Sequence, residues 1–172
     1  SSYVSIPNTW LRGRSDVTIS MWIYIQPGQA TLPIVGWQYP GGDMPPLGIF
    51  YTGSGSTIDN GDGIQMRNNS FHISLGMGVV QEIVNFTYAQ PPAGWHFFTM
   101  STNSSGTLKL YMDGGNIGVW SAPTWRYFST NYTYPIYLGM HPYTPAPIYT
   151  QTSIDEMRVY NYEMTGAGVL SL

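Results

Sequence analysis

Along much of this chain, apolar and polar residues exchange places at every second position, and the pattern resets at glycine, proline or asparagine. Strand side chains point to opposite faces in turn, so such runs are strands with one buried face. The strongest is VTISMWIYI, Val17–Ile25, with Ile19, Met21, Ile23 and Ile25 on one face and Ser20, Trp22 and Tyr24 on the other. Pro27-Gly28 stops it. Residues 95–101 set His96, Phe98 and Met100 against Trp95, Phe97 and Thr99. Thr107–Met112 set Leu108, Leu110 and Met112 against Thr107, Lys109 and Tyr111. The connector 102–106 ends in glycine, as hairpin loops do, and Asp113-Gly114 offers a tight turn into residues 116–120. The expectation is a three-stranded antiparallel meander that the rest of the chain covers.

Further strand-like runs lie at 3–6, 32–37, 47–51, 64–66, 71–75, 79–87, 134–140 and Ser153–Tyr160. Turn-rich pieces such as 39–46 and 52–63 separate them. No window sustains a 3.6-residue period. One helical turn is expected at 166–170, with Thr165 as its cap. Many short strands at close spacing argue an all-β, two-sheet antiparallel sandwich. The length, 172 residues, suits one domain, here read as 1–172.

Composition sharpens the picture. Hydrophobic residues are 42% and aromatic residues 15%, enough for a sizeable core. Charged residues are 9%, against about 25% in ordinary soluble domains. A surface so poor in charge suits an acidic medium or one covered by glycans or neighbouring subunits. The net charge is −3, and of the six basic residues just Arg12 and Arg14 are close in sequence, so no basic stripe for nucleic acid exists. With no cysteine there are no disulfides and no thiolate chemistry. No apolar run reaches the 18 or so residues of a membrane span. Ser1 begins almost inside a strand pattern, as expected of a mature terminus or an excised domain.

The pieces SYVSIP (2–7), VTISMWI (17–23), WHFF (95–98), TLKLYMDG (107–114), IYLG (136–139) and IDEMRVYNY (154–162) occur in one order across nearly the whole chain. That ordered set resembles the laminin-G-like jelly rolls of the concanavalin A-like lectin/glucanase superfamily. The resemblance implies two antiparallel sheets packed face to face, with any binding on the concave sheet or the rim loops. Its members bind glycans, proteins or calcium, some are structural, and a related branch hydrolyses polysaccharides, so fold alone does not fix activity.

The candidate chemistry is weighed residue by residue. A retaining glycosidase needs two carboxyl groups about 5–5.5 Å apart. The best strand offers Asp155-Glu156, which strict alternation would send to opposite faces. Hydrolysis is therefore disfavoured and no catalytic residue is assigned. His72, His96 and His141 are dispersed, without a nucleophile elbow or zinc spacing. Asp59, Asn60 and Asp62 crowd oxygen donors into one loop that would suit calcium, although Asp-Gly and Asn-Gly also simply form turns. Aromatic rings stack on sugar faces, and Trp37, Tyr39, Trp120, Trp125, Tyr127, Tyr132 and Tyr143 lie in or beside turn-rich segments where a carbohydrate-binding surface would form. Filling the core is the competing role for each. Asn68, Asn85, Asn103 and Asn131 head Asn-x-Ser/Thr sequons and are candidate glycosylation sites.

The function expected is a non-catalytic extracellular recognition module, binding a glycan or surface glycoprotein, or serving adhesion, on a cell or virus surface. The alternative is a structural subunit of a surface layer, filament or virion spike that meets other copies of itself.

Overall fold

The structure is a computed structural model that describes residues 4–27, 47–52, 62–67, 70–76, 81–87, 91–121, 136–138, 140–141, 148–149 and 153–172. Its strands are β1 (Val4–Ile6), β2 (Val17–Ile25), β3 (Leu47–Thr52), β4 (Asp62–Arg67), β5 (Ser70–Gly76), β6 (Gln81–Thr87) and β7 (Gly94–Thr102). They continue as β8 (Thr107–Met112), β9 (Gly115–Ser121), β10 (Ile136–Leu138), β11 (Met140–His141), β12 (Ile148–Tyr149) and β13 (Ser153–Tyr160). A single-turn helix, α1 (Gly166–Val169), follows near the C-terminus. One sheet has six strands in the order β1-β10-β3-β4-β5-β6; the other has five, β13-β2-β7-β8-β9. Neighbouring strands in both are antiparallel.

The core follows from the alternation. On the inner face of the five-stranded sheet, Ile19 stands opposite Met100 and Met100 opposite Leu110. One row along, Met21 faces Phe98 and Phe98 faces Met112. All of these are buried, as are Val17, Ile23, Ile25 and Leu108. Leu138 from β10 joins the same cluster and Ile6 from β1 packs against it, so the six-stranded sheet closes the other side. Burying each such side chain contributes about 1.5–3 kcal/mol before the entropy of ordering is charged against it.

The expected meander forms as β7-β8-β9. Asp113 (φ 51) and Gly114 (φ 78) are both left-handed, the two-residue turn whose twist matches flanking strands. At the other hairpin Asn103 Oδ1 accepts from the N–H groups of Ser105 and Thr107, and Gly106 takes φ 79. Thr165 Oγ1 accepts from Gly168 N–H, capping α1 as its sequence indicated.

Two expectations change. The run at 134–140 is realised as two strands, β10 and then β11, which leaves the sheet to pair with β12. A two-residue partner such as β12 carries no period, so the pattern had no means of signalling it. The second change is in β13, where a bulge sits between Asp155 and Arg158. Ile154 packs toward the core, and strict alternation would then send Glu156 and Arg158 inward as well. One extra residue resets the phase, so Met157 and Val159 pack on the core while Glu156 and Arg158 are exposed. The cost is Glu156 at φ 46, a conformation that suits glycine better. Asp155 and Glu156 are thus both exposed, and simple alternation is not what separates them. The strand expected at 32–37 lies outside the described residues.

Candidate carbohydrate-binding surface

The outer face of the five-stranded sheet falls into four cross-strand rows. Tyr160, Thr18, Ser101, Lys109 and Val119 form the first, and Arg158, Ser20, Thr99, Tyr111 and Asn116 the second. Asp155, Trp22 and Phe97 form the third, and Ser153, Tyr24 and Trp95 the fourth. The C-terminal segment lies over the first two rows. Met164 N–H donates to both Thr18 Oγ1 and Ser101 Oγ at 2.9 Å. Thr18 Oγ1 donates in turn to the Tyr162 carbonyl. Met164 and Val169 bury Tyr111. Lys109 Nζ bonds Glu163 Oε1 at 2.7 Å. That bond holds the Glu163 carboxyl below its usual range, and the Asn103 amide helps; the same contact raises Lys109 above its ordinary value.

The last two rows stay open. Trp22 is 38% exposed and Trp95 47%. Each indole leans on a less exposed ring. Trp22 and Phe97 have centroids 5.2 Å apart with planes tilted by 49°, and Tyr24 meets Trp95 edge-on at 5.4 Å. Aromatic pairs prefer such tilted and edge contacts, so the four rings hold one another in place. Trp22 and Trp95 are diagonal neighbours, about 7–8 Å apart at the backbone. This is a braced aromatic platform with Asp155 beside it, in register with Trp22.

Three further carboxyl side chains and Asp155 itself make structural bonds. Asp155 Oδ1 accepts from Glu156 N–H, and Glu156 pairs with Arg158 at 3.0 Å. Asp16 accepts from Ser15 Oγ and from Ser104 N–H. Asp113 Oδ1 accepts from Phe97 N–H while its Oδ2 lies 2.8 Å from His96 Nδ1. His96 Nε2 lies 2.8 Å from the Pro92 carbonyl. A carbonyl and a carboxylate both accept, so both contacts are hydrogen bonds when both ring nitrogens carry protons. His96 thereby ties the chain entering β7 to the Asp113 turn. Among the described residues no group of three His, Asp or Glu side chains is arranged to hold a metal ion.

Of the aromatics singled out in the sequence, Trp120 is half-buried, opposite Leu108 in register, and packs on the core. Trp37, Tyr39, Trp125, Tyr127, Tyr132 and Tyr143 lie outside the described residues, as do Asp59, Asn60, Asn68 and Asn131. Asp62 opens β4, Asn85 lies within β6 opposite His72, and Asn103 forms the tip of the β7–β8 hairpin. The platform residues lie inside the strands β2 and β7, where the sequence pattern points to packing and not to a binding loop. The signal was there in the aromatics at alternate positions opposite the core, Trp22 and Tyr24 in one strand and Trp95 and Phe97 in another.

A family model described as the concanavalin A-like lectin/glucanases superfamily, of laminin G type, matches residues 1–170. The chain belongs to this superfamily. Its sandwich is similar to the carbohydrate-binding module, CBM40, of a Ruminococcus gnavus sialidase bound to α2,3-sialyllactose: TM-score 0.71, 12% identity, covering 99% of this chain and 96% of that one. It is also similar to domain 4 of an extracellular arabinanase from Geobacillus stearothermophilus, in complex with arabinotriose: TM-score 0.65, 16% identity, covering 99% and 72%. A third similar structure is that of botulinum neurotoxin type C, whose cell entry depends on two ganglioside molecules: TM-score 0.62, 18% identity, covering 91% and 35%. The superfamily chain described here spans little more than a third of the length of the neurotoxin structures it matches. Among curated protein sequences, nothing matches it.

Proposed function

We propose that this chain is a non-catalytic carbohydrate-recognition module acting outside the cell, on a cell or virus surface. The observation that carries the reading is the open pair of indoles, Trp22 and Trp95, each braced by a second ring on a rigid sheet. Sugar rings present flat C–H faces that such rings cover, and a ring fixed beforehand loses little entropy on binding. The size of the patch agrees. With a Trp side chain presenting about 250 Å² at most, the two indoles expose roughly 200 Å² together. A stable protein interface needs about 800 Å² per partner. A short saccharide fits that area. The CBM40 likeness, which spans both chains almost completely, supports the same reading. The commitment of Asp16, Asp113, Asp155, Glu156 and Glu163 to structural bonds supports a non-catalytic reading. No helix of the described residues is long and apolar enough to cross a membrane. A charge-poor surface and four sequons suit an exported, glycosylated protein, and that surface also suits acidic surroundings.

The test is an array of immobilised glycans probed with the purified chain. Saturable binding to a defined subset is expected, with no release of reducing sugar from soluble polysaccharides. Uniformly absent binding would overturn the proposal.

A further inference from the structure

The electrostatics beside the platform say which sugars it takes. This inference rests on the recognition reading above and narrows it. Asp155 stands opposite Trp22 on the outer face. One of its oxygens holds the Glu156 N–H, and the other takes no hydrogen bond from any described residue. Three cations of this sheet are taken up elsewhere: Arg158 is engaged by Glu156, Lys109 by Glu163, and His96 lies against Asp113. The bulge fixes this carboxylate, because the left-handed Glu156 turns its own N–H onto Asp155. Asp155 is therefore an anchored acceptor next to an exposed ring, and no ion pair among the described residues offsets its charge.

We infer that the Trp22–Trp95 platform binds a neutral saccharide, with Asp155 accepting hydrogen bonds from its hydroxyl groups, and that it rejects saccharides carrying a carboxylate. A hydroxyl donated to a carboxylate makes a charge-assisted bond, stronger than one to a neutral acceptor. A carboxylate on the ligand would instead sit within a Debye length of Asp155, about 8 Å at physiological salt, with no ion pair among the described residues to offset the repulsion. The outer face of this sheet thus departs in specificity from the sialyl-ligand complexes of the similar structures, although the fold is shared.

The experiment is isothermal titration calorimetry of the whole chain at pH 7. The probes are lactose and 3′-sialyllactose, N-acetyllactosamine and its α2,3-sialylated form, and arabinotriose. At least one neutral probe is expected to bind. A sialylated partner of a binding probe is expected to bind at least tenfold more weakly. Trp22→Ala and Trp95→Ala, at exposed positions that leave the core intact, are each expected to weaken the neutral probe at least tenfold. Asp155→Asn keeps an acceptor without the charge, and is expected to narrow the gap between neutral and sialylated probes. Sialylated probes binding as well as neutral ones, or unchanged affinity in both tryptophan variants, would overturn this inference while leaving carbohydrate recognition standing. Silence from every probe would overturn this inference, and the recognition reading would fall with it only if the glycan array were silent too.

Discussion

Thr18 and Ser101 meet across β2 and β7 with their hydroxyl oxygens 3.0 Å apart, and the Met164 N–H is shared between them. This latch divides the outer face of the five-stranded sheet. On one side the C-terminal segment covers the sheet; on the other the aromatic platform remains open. Replacing Thr18 by Val or Ser101 by Ala removes a buried acceptor from Met164 and is expected to cost about 1–3 kcal/mol. Hydrogen exchange checks the assignment, since protection should fall at Met164 and through α1 before it falls in β7.

One row away, Ser20 and Thr99 also face each other, but their buried hydroxyls find no hydrogen-bond partner among the described residues. The same kind of substitution should therefore have the opposite sign. Thr99→Val keeps the shape and removes an unpaired hydroxyl, so it is expected to stabilise by about 1 kcal/mol, or raise the melting temperature by about 2–4 °C. Thermal melts of Thr99→Val beside Thr18→Val would show melting temperatures moving apart. A loss in both would contradict the distinction between the rows.

The bulge in β13 makes a prediction against ordinary strand preference. At an exposed strand position Val normally outperforms Gly. At position 156 the left-handed backbone penalises any Cβ, and a branched one most, by about 1–2 kcal/mol. Glu156→Gly is therefore expected to be more stable than Glu156→Val. Both lose the exposed pair with Arg158, so that term cancels in the comparison. Chemical denaturation of the two variants measures it, and the usual order, Val above Gly, would refute the bulge.

The Lys109–Glu163 pair ties β8 to the residue just before the latch. Glu163 is depressed, mainly by its bond from Lys109, so its contribution is full above the normal carboxylate range and lost as the pH falls through its folded value. Lys109 is raised, mainly by the bond to Glu163, so its contribution is full below the normal lysine range and lost as the pH rises past it. The stability difference between the native chain and Glu163→Gln should be about 0.5–1 kcal/mol near neutrality. It should fade as the pH drops through the depressed Glu163 value, below the ordinary carboxylate range, and as it rises through the raised Lys109 value, above the ordinary lysine range. A difference that persists in acid would mean the pair contributes something other than charge. In acidic surroundings the hydroxyl latch, which does not titrate, would carry the docking of the C-terminal segment.

Much of this was legible in the residues. Val17–Ile25 and Thr107–Met112 are marked end to end by alternation, because one face of each meets the core. Asp113-Gly114 and Thr165 declared a turn and a cap through side-chain chemistry that acts locally. What stayed hidden depended on neighbours in space. The bulge at Glu156 is a phase correction visible only when β13 is set against β2. The platform needs β2 and β7 in register: each strand shows an alternating aromatic pair, Trp22 with Tyr24 and Trp95 with Phe97, but only the pairing brings the four rings together. Turn-rich segments drew attention as the natural home of binding residues, and Trp120, at the end of β9, proved to face inward.

The most direct test uses the two indoles themselves. The chain has six tryptophans, so a nitrogen–proton correlation spectrum should resolve six indole N–H signals, assignable by substitution. During titration with the neutral oligosaccharide that the chain binds, the signals of Trp22 and Trp95 are predicted to shift together and saturate at one dissociation constant, while that of Trp120 stays fixed. Saturable binding that leaves Trp22 and Trp95 unmoved would contradict the account, because the sugar would then lie elsewhere on the sandwich.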